Sequence, residues 1–189
     1  MTWKLRKTVV MVGMMGAGKT AIGTHLARVL RVPFLDSDEE IVRAAAMSIP
    51  EIFARDGEAF FRARESEVLA RLLLGRPSVL STGGGAFLSA ANRAAIGAAG
   101  VSVWLRADLD LLWQRVRHKT TRPLLQTPNP RETLARLLEE RAPSYMQADL
   151  VVDAAPGLSI EGVLDQLFDH RNRTLDDLSG GYLIDDLIA

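Results

Sequence analysis

The chain has 189 residues, 48% apolar and 24% charged, enough for one domain with a sizeable core, which excludes a disulfide-stapled miniprotein. It has no cysteine, hence no disulfide framework, no cysteine zinc site and no thiol nucleophile, in agreement with a reducing compartment. Twenty-three basic residues balance twenty-three acidic ones, so no global positive field points to nucleic acid or an anionic membrane.

Lys4, Arg6 and Lys7 precede an apolar run at 9–15 that superficially resembles a secretory signal. The run is short, broken by Gly13, and followed by no small-x-small cleavage site, so it reads as a buried strand at 8–12. A helical spacing of Ile22, Leu26, Val29 and Leu30 covers 19–30, and a second strand follows at 32–36. Ser48 and Glu51 flank Pro50 as a capping box, and a long helix is expected over 57–74. A third strand at 78–81 ends in Gly83-Gly84-Gly85. The segment 89–98 reads as a helix stopped by Gly100, 101–105 as the fourth strand, and Asp108 as the N-cap of a helix reaching 116.

Between 117 and 130 the periodicity gives way to basic residues, threonines and three prolines, Pro123, Pro128 and Pro130, a composition suited to a mobile lid. Helical spacing returns at 131–142, a last strand is expected at 150–153, and a closing helix at 159–170. Strands alternating with crossovers of this length predict an α/β fold, a five-stranded parallel sheet covered by helices on both faces. Ligands of such sheets bind beyond the carboxyl ends of the strands. A single domain is expected over 1–170, with an insert at 37–65. Residues 171–189 form a tail, polar at first and then apolar at Tyr182, Leu183, Ile184, Leu187 and Ile188. No stretch approaches the roughly 18–20 apolar residues of a membrane span, and a soluble, cytoplasmic, monomeric protein is expected.

Gly13-Met14-Met15-Gly16-Ala17-Gly18-Lys19-Thr20 fits the pattern G-x-x-x-x-G-K-[ST]. Backbone N–H groups of such a loop turn inward around phosphate oxygens, and the following helix points its positive end at them. Lys19 is placed to reach the β- and γ-phosphates, and the Thr20 hydroxyl to ligate Mg²⁺. Asp36-Ser37-Asp38 closes the second strand beside this cradle. Strand alternation would aim both aspartates into one cleft, Asp36 toward the metal and Asp38 toward a substrate hydroxyl. The competing reading is that Ser37 or Asp38 caps the next helix.

Four arginines sit in contexts suited to reading an anion with a planar fork. Arg62 follows Phe60-Phe61, Arg115 lies on the helix before the lid, Arg122 stands in the lid before Pro123-Leu124-Leu125, and Arg141 precedes Ala142-Pro143 with Tyr145 near. Closing the lid would bring Arg122 onto the transferring phosphoryl group and expel water. Gly83, Gly84 and Gly85 leave room for a ligand to approach the backbone. His25, His118 and His170 lack metal-ligand spacing and read as ordinary surface or core residues.

Together these stretches, with Ile52-Phe53 through Asp56-Gly57-Glu58 to Phe61-Arg62 and Arg141-Ala142-Pro143-Ser144-Tyr145, resemble the shikimate kinase family over about 8–170. The resemblance implies phosphoryl transfer from ATP, with Mg²⁺, to the 3-hydroxyl of shikimate. It places Asp38, Arg62, Gly84 and Arg141 on shikimate, both arginines on its carboxylate, with Gly83 and Gly85 beside them. It also places Lys19 and Arg122 on phosphates, Thr20 and Asp36 on Mg²⁺, and Arg115 near the adenine. Two departures stand out. Ala154-Ala155-Pro156-Gly157 lacks the basic residue that some members place near adenine, and the tail has no family counterpart. A GTPase switch is disfavoured: an N-K-x-D base-reading motif is missing, and the D-x-x-G match at Asp177 to Gly180 falls in the tail.

Overall fold

A computed structural model describes residues 5–119 and 122–167. The closing residues 168–170, the tail 171–189 and lid positions 120–121 lie outside the described residues.

Strand β1 (Thr8–Val12) is buried at all five positions, the pattern of a central parallel strand covered on both faces. It is flanked by β3 (Val79–Ser81) and β4 (Gly100–Arg106), with β2 (Phe34–Asp36) beyond β3 and β5 (Leu150–Asp153) beyond β4. The order β2-β3-β1-β4-β5 is parallel throughout. Helix α1 (Lys19–Leu30) links β1 to β2 in one direction. Every later crossover, through α2 (Ser37–Ala45) and α3 (Ile49–Leu73), α4 (Ala90–Ala99), and α5 (Leu109–Val116) with α6 (Pro130–Tyr145), runs in the other. With right-handed connections, this reversal puts α1 opposite α3 and α4. Helix α7 (Ile160–Leu167) packs beside α1, and α4 beside α3. The predicted three-layer fold is the one found. Among the described residues no helix is long and apolar enough to cross a membrane.

Several boundaries differ from expectation. Ser37 and Asp38 belong to α2, not to an extended strand: Asp36 is the N-cap, its Oδ1 accepting from the amides of Asp38 at 2.9 Å and Glu39 at 3.4 Å. The capping box at Ser48 and Glu51 is present, but the helix it opens runs from Ile49 to Leu73 across a kink at Gly57. Gly100 stops α4 as its C-cap, as expected, but in extended backbone at φ −148°, where it also begins β4. Pro143 sits within α6, which continues to Tyr145.

One continuous core wraps the sheet, and a smaller cluster of Ile41, Ile52, Phe61 and Val68 joins α2 to α3. The aromatic pair Phe53 and Phe61, 4.8 Å between centroids, closes this second cluster. It gives the expected insert its own packing.

Candidate active site

The carboxyl ends of β1, β2 and β3 open into a cavity of about 570 Å³ lined by Lys19, Thr20, Asp36, Asp38, Gly83, Gly84, Arg115 and Arg122. At its floor the loop after β1 turns through Gly13, Gly16 and Gly18, all at positive φ. Side chains are strained there, so the glycines let the loop present its backbone to the cavity.

Lys19 is 8% exposed and folds back over the loop, its Nζ donating to the carbonyls of Gly13 at 2.8 Å and Met14 at 2.9 Å. Burial pulls its pKa down to about 8, aided by Arg122 and Arg141 and opposed by Asp38 and Asp36. Thr20 Oγ1 donates to Asp36 Oδ2 at 3.1 Å, so the two expected metal ligands are neighbours. Among the described residues no cluster of three or more His, Asp or Glu could hold a metal. Two hard oxygens would suit Mg²⁺; the donor set fits.

Arg115 braces the loop, donating to the carbonyls of Gly16 at 3.0 Å and Ala17 at 2.9 Å. It also lines the cavity, as do Ala154, Ala155, Gly157 and Leu158 of the turn after β5. Arg122, at the start of the short 3-10 turn Pro123–Leu125, faces the cavity with a buried Nε that has no hydrogen-bond partner. His25 and Lys119 also reach the rim.

The glycine run after β3 is where the acidic and basic side chains converge. A Cβ on Gly83 would lie 2.8 Å from both Asp38 Oδ1 and Glu65 Oε1, and one on Gly85 would overlap the Arg62 guanidinium. Arg141 Nη1 donates to the Gly84 carbonyl at 3.2 Å. The run thus has no side chains because carboxylates and guanidiniums from α2, α3 and α6 crowd its backbone. Asp38 Oδ1 and Glu65 Oε1 are both buried without a partner. Burial raises the pKa of Asp38, helped by Asp36 and opposed by Lys19, Arg122 and Arg62.

Sequence reasoning missed two residues. Glu65, 1% exposed, holds Arg62 Nη1 at 2.8 Å on Oε2, while Glu58 takes the other side of the guanidinium at 3.0 Å. Its signal was a charge on the apolar stripe Phe61, Val68 and Leu69 of α3. Tyr145, wholly buried, donates its hydroxyl to the Gly84 carbonyl and stacks on Trp104 at 5.9 Å. It continues the buried stripe Leu134, Leu137, Arg141 of α6.

Burial pushes the Tyr145 phenol up to about 12. Unfolded tyrosine titrates near 10, so between these values the folded state binds more protons and stability falls as pH rises. From pH 9 to pH 11 the stability difference between the wild type and Tyr145→Phe is expected to move against the wild type by about 1–2 kcal/mol. Urea unfolding at the two pH values checks this, and an unchanged difference would mean the phenol is not buried as described.

The shikimate kinase family model matches residues 15–171. A shikimate kinase from Cereibacter sphaeroides is 71% identical over 154 residues, 82% of this chain and 77% of that protein. One from Ruegeria pomeroyi is 67% identical over 163 residues, 86% of this chain and 84% of that protein. Among solved structures, a shikimate kinase from Acinetobacter baumannii in complex with shikimate superposes with TM-score 0.79 at 38% identity, covering 92% of this chain and 93% of the other.

Proposed function

Since this chain belongs to the shikimate kinase family and is an ATP-dependent kinase acting on shikimate, we propose that its cleft divides into a phosphate nest, a metal edge and an acceptor pocket with the following roles. The loop from Gly13 to Thr20 holds the triphosphate, and Lys19 leaves the loop carbonyls to take β- and γ-oxygens. Arg122 closes over the γ-phosphoryl from the lid, and Arg115 lies beside the purine. Gly83, Gly84 and Gly85 form the wall against which shikimate rests, its carboxylate gripped by Arg62 and Arg141. Asp38 orients the 3-hydroxyl in line with the phosphorus and takes its proton late in the transfer.

Thr20 and Asp36 would hold Mg²⁺, which when bound neutralises charge across the β- and γ-phosphates. The turn Ala154-Ala155-Pro156-Gly157 offers the base no charged side chain. The balanced net charge supports the absence of a nucleic-acid or membrane partner. One cleft serving both ligands needs no second copy, which supports a monomer, and the lack of cysteine agrees with the cytoplasm.

The observation that carries this reading is the convergence of Asp38, Arg62 and Arg141 on the glycine run, beside Lys19. ADP release measured side by side with shikimate, gluconate and nucleoside monophosphates tests it, with shikimate expected to be the preferred acceptor by a wide margin. Arg141→Lys keeps the charge and removes the fork, so shikimate affinity is expected to fall about tenfold or more with ATP binding little changed. Calorimetric titration showing unchanged shikimate binding would put the carboxylate elsewhere.

A further inference from the structure

We infer that the Tyr145 hydroxyl is a positioning group of the acceptor site: it holds the Gly84 carbonyl, so that Arg141 can leave that carbonyl for an incoming carboxylate. The inference rests on the reading of Arg141 as a partner of the shikimate carboxylate.

Gly84 O is the junction. In the ligand-free arrangement it accepts from two side chains one helical turn apart on α6, the Tyr145 hydroxyl and Arg141 Nη1 at 3.2 Å. Arg141 is 6% exposed and Tyr145 wholly buried, Gly84 itself is half-buried, and a carbonyl turned toward buried side chains is costly to leave without a donor. When Arg141 turns to an anion it abandons Gly84 O. Tyr145 keeps that oxygen satisfied, and the exchange costs little.

The tyrosine is well fixed for this task. Its ring stacks on Trp104 of β4 with planes 28° apart, and its hydroxyl also lies 3.7 Å from Met14 Sδ in the phosphate loop. Its raised pKa keeps the hydroxyl protonated, a donor, at every physiological pH. Helix α6 continues through Pro143, so Arg141 and Tyr145, four residues apart, lie on one face. With phenylalanine at this position, Arg141 becomes the sole side-chain partner of Gly84 O, and each binding event must strip that half-buried carbonyl.

The experiment compares wild type and Tyr145→Phe on two acceptors, shikimate and the corresponding triol that lacks the carboxylate. For shikimate, Tyr145→Phe is expected to lower kcat/KM about tenfold, chiefly through KM, the factor that one buried hydrogen bond is worth. The KM for ATP is expected to stay within about twofold, since the Met14 contact is weak. For the triol, which gives Arg141 no reason to move, kcat/KM is expected to be the same in both proteins. Equal losses on both acceptors would reduce Tyr145 to a packing residue and overturn the inference. No loss on either would overturn it as well. A wild type that does not distinguish the two acceptors would instead remove the premise, the assignment of Arg141 to the carboxylate.

Discussion

Asp38→Asn is expected to lower kcat about 10²–10⁴-fold, the range that a positioned proton acceptor supplies, with little change in the affinity for ATP. The amide keeps the size of the side chain and its place in the first turn of α2. It loses the basic oxygen that is buried, unpartnered and turned toward Gly83. Burial and Asp36 raise the pKa of this carboxyl, which makes the carboxylate a stronger base. Lys19, Arg122 and Arg62 act in the opposite sense and favour the ionised form. Steady-state kinetics at saturating shikimate measure the effect, and near-normal turnover would remove Asp38 from the reaction.

Lys19→Met is expected to lower kcat about 10²–10³-fold, the loss seen when one preorganised donor to developing charge is removed, and to weaken ATP binding. The same substitution is expected to leave the melting temperature of the ligand-free protein unchanged or raised. Both outcomes have one cause. The ammonium is buried in a site with Arg122 and Arg141, and its pKa of about 8 records that the ligand-free fold disfavours its charge. A triphosphate reverses that balance, so the group that strains the empty cleft stabilises the loaded one. A marked drop in melting temperature would mean that the bonds to Gly13 and Met14 outweigh the burial, making Lys19 a structural clamp of the loop.

Much of the site was legible because its signals are local. The phosphate loop is eight consecutive residues whose glycines meet the steric demand of the turn they make, and Gly13, Gly16 and Gly18 do lie at positive φ. Asp36 and Asp38 line one cavity, but not on the ground that the sequence suggests. They share the cleft because Asp36 caps α2 and Asp38 stands in its first turn, not because a strand alternates its side chains. A helix capped by Asp36, rather than by Ser37 or Asp38, brings the two carboxylates to one cleft.

Arg62 and Arg141 could be nominated as anion readers from their neighbours in sequence, but no local pattern said that they meet. Glu65 and Tyr145 carry no task that the sequence assigns, although Glu65 is a charge on an apolar stripe and Tyr145 stands near Arg141. Glu65 takes its task from Arg62, one turn away on α3, and from Gly83 across the fold, and Tyr145 takes its task from Gly84 across the fold.

The amino-acid order by itself determined the alternation of strands and helices, the phosphate loop and the identity of the charged residues, since periodicity, capping and glycine sterics act within a few residues. The tertiary structure alone decided which charges face one another. That depends on the reversal of chain direction after β2, which carries α3 and α6 to the glycine run from separate parts of the chain, and on burial, which sets the protonation of the groups that meet there.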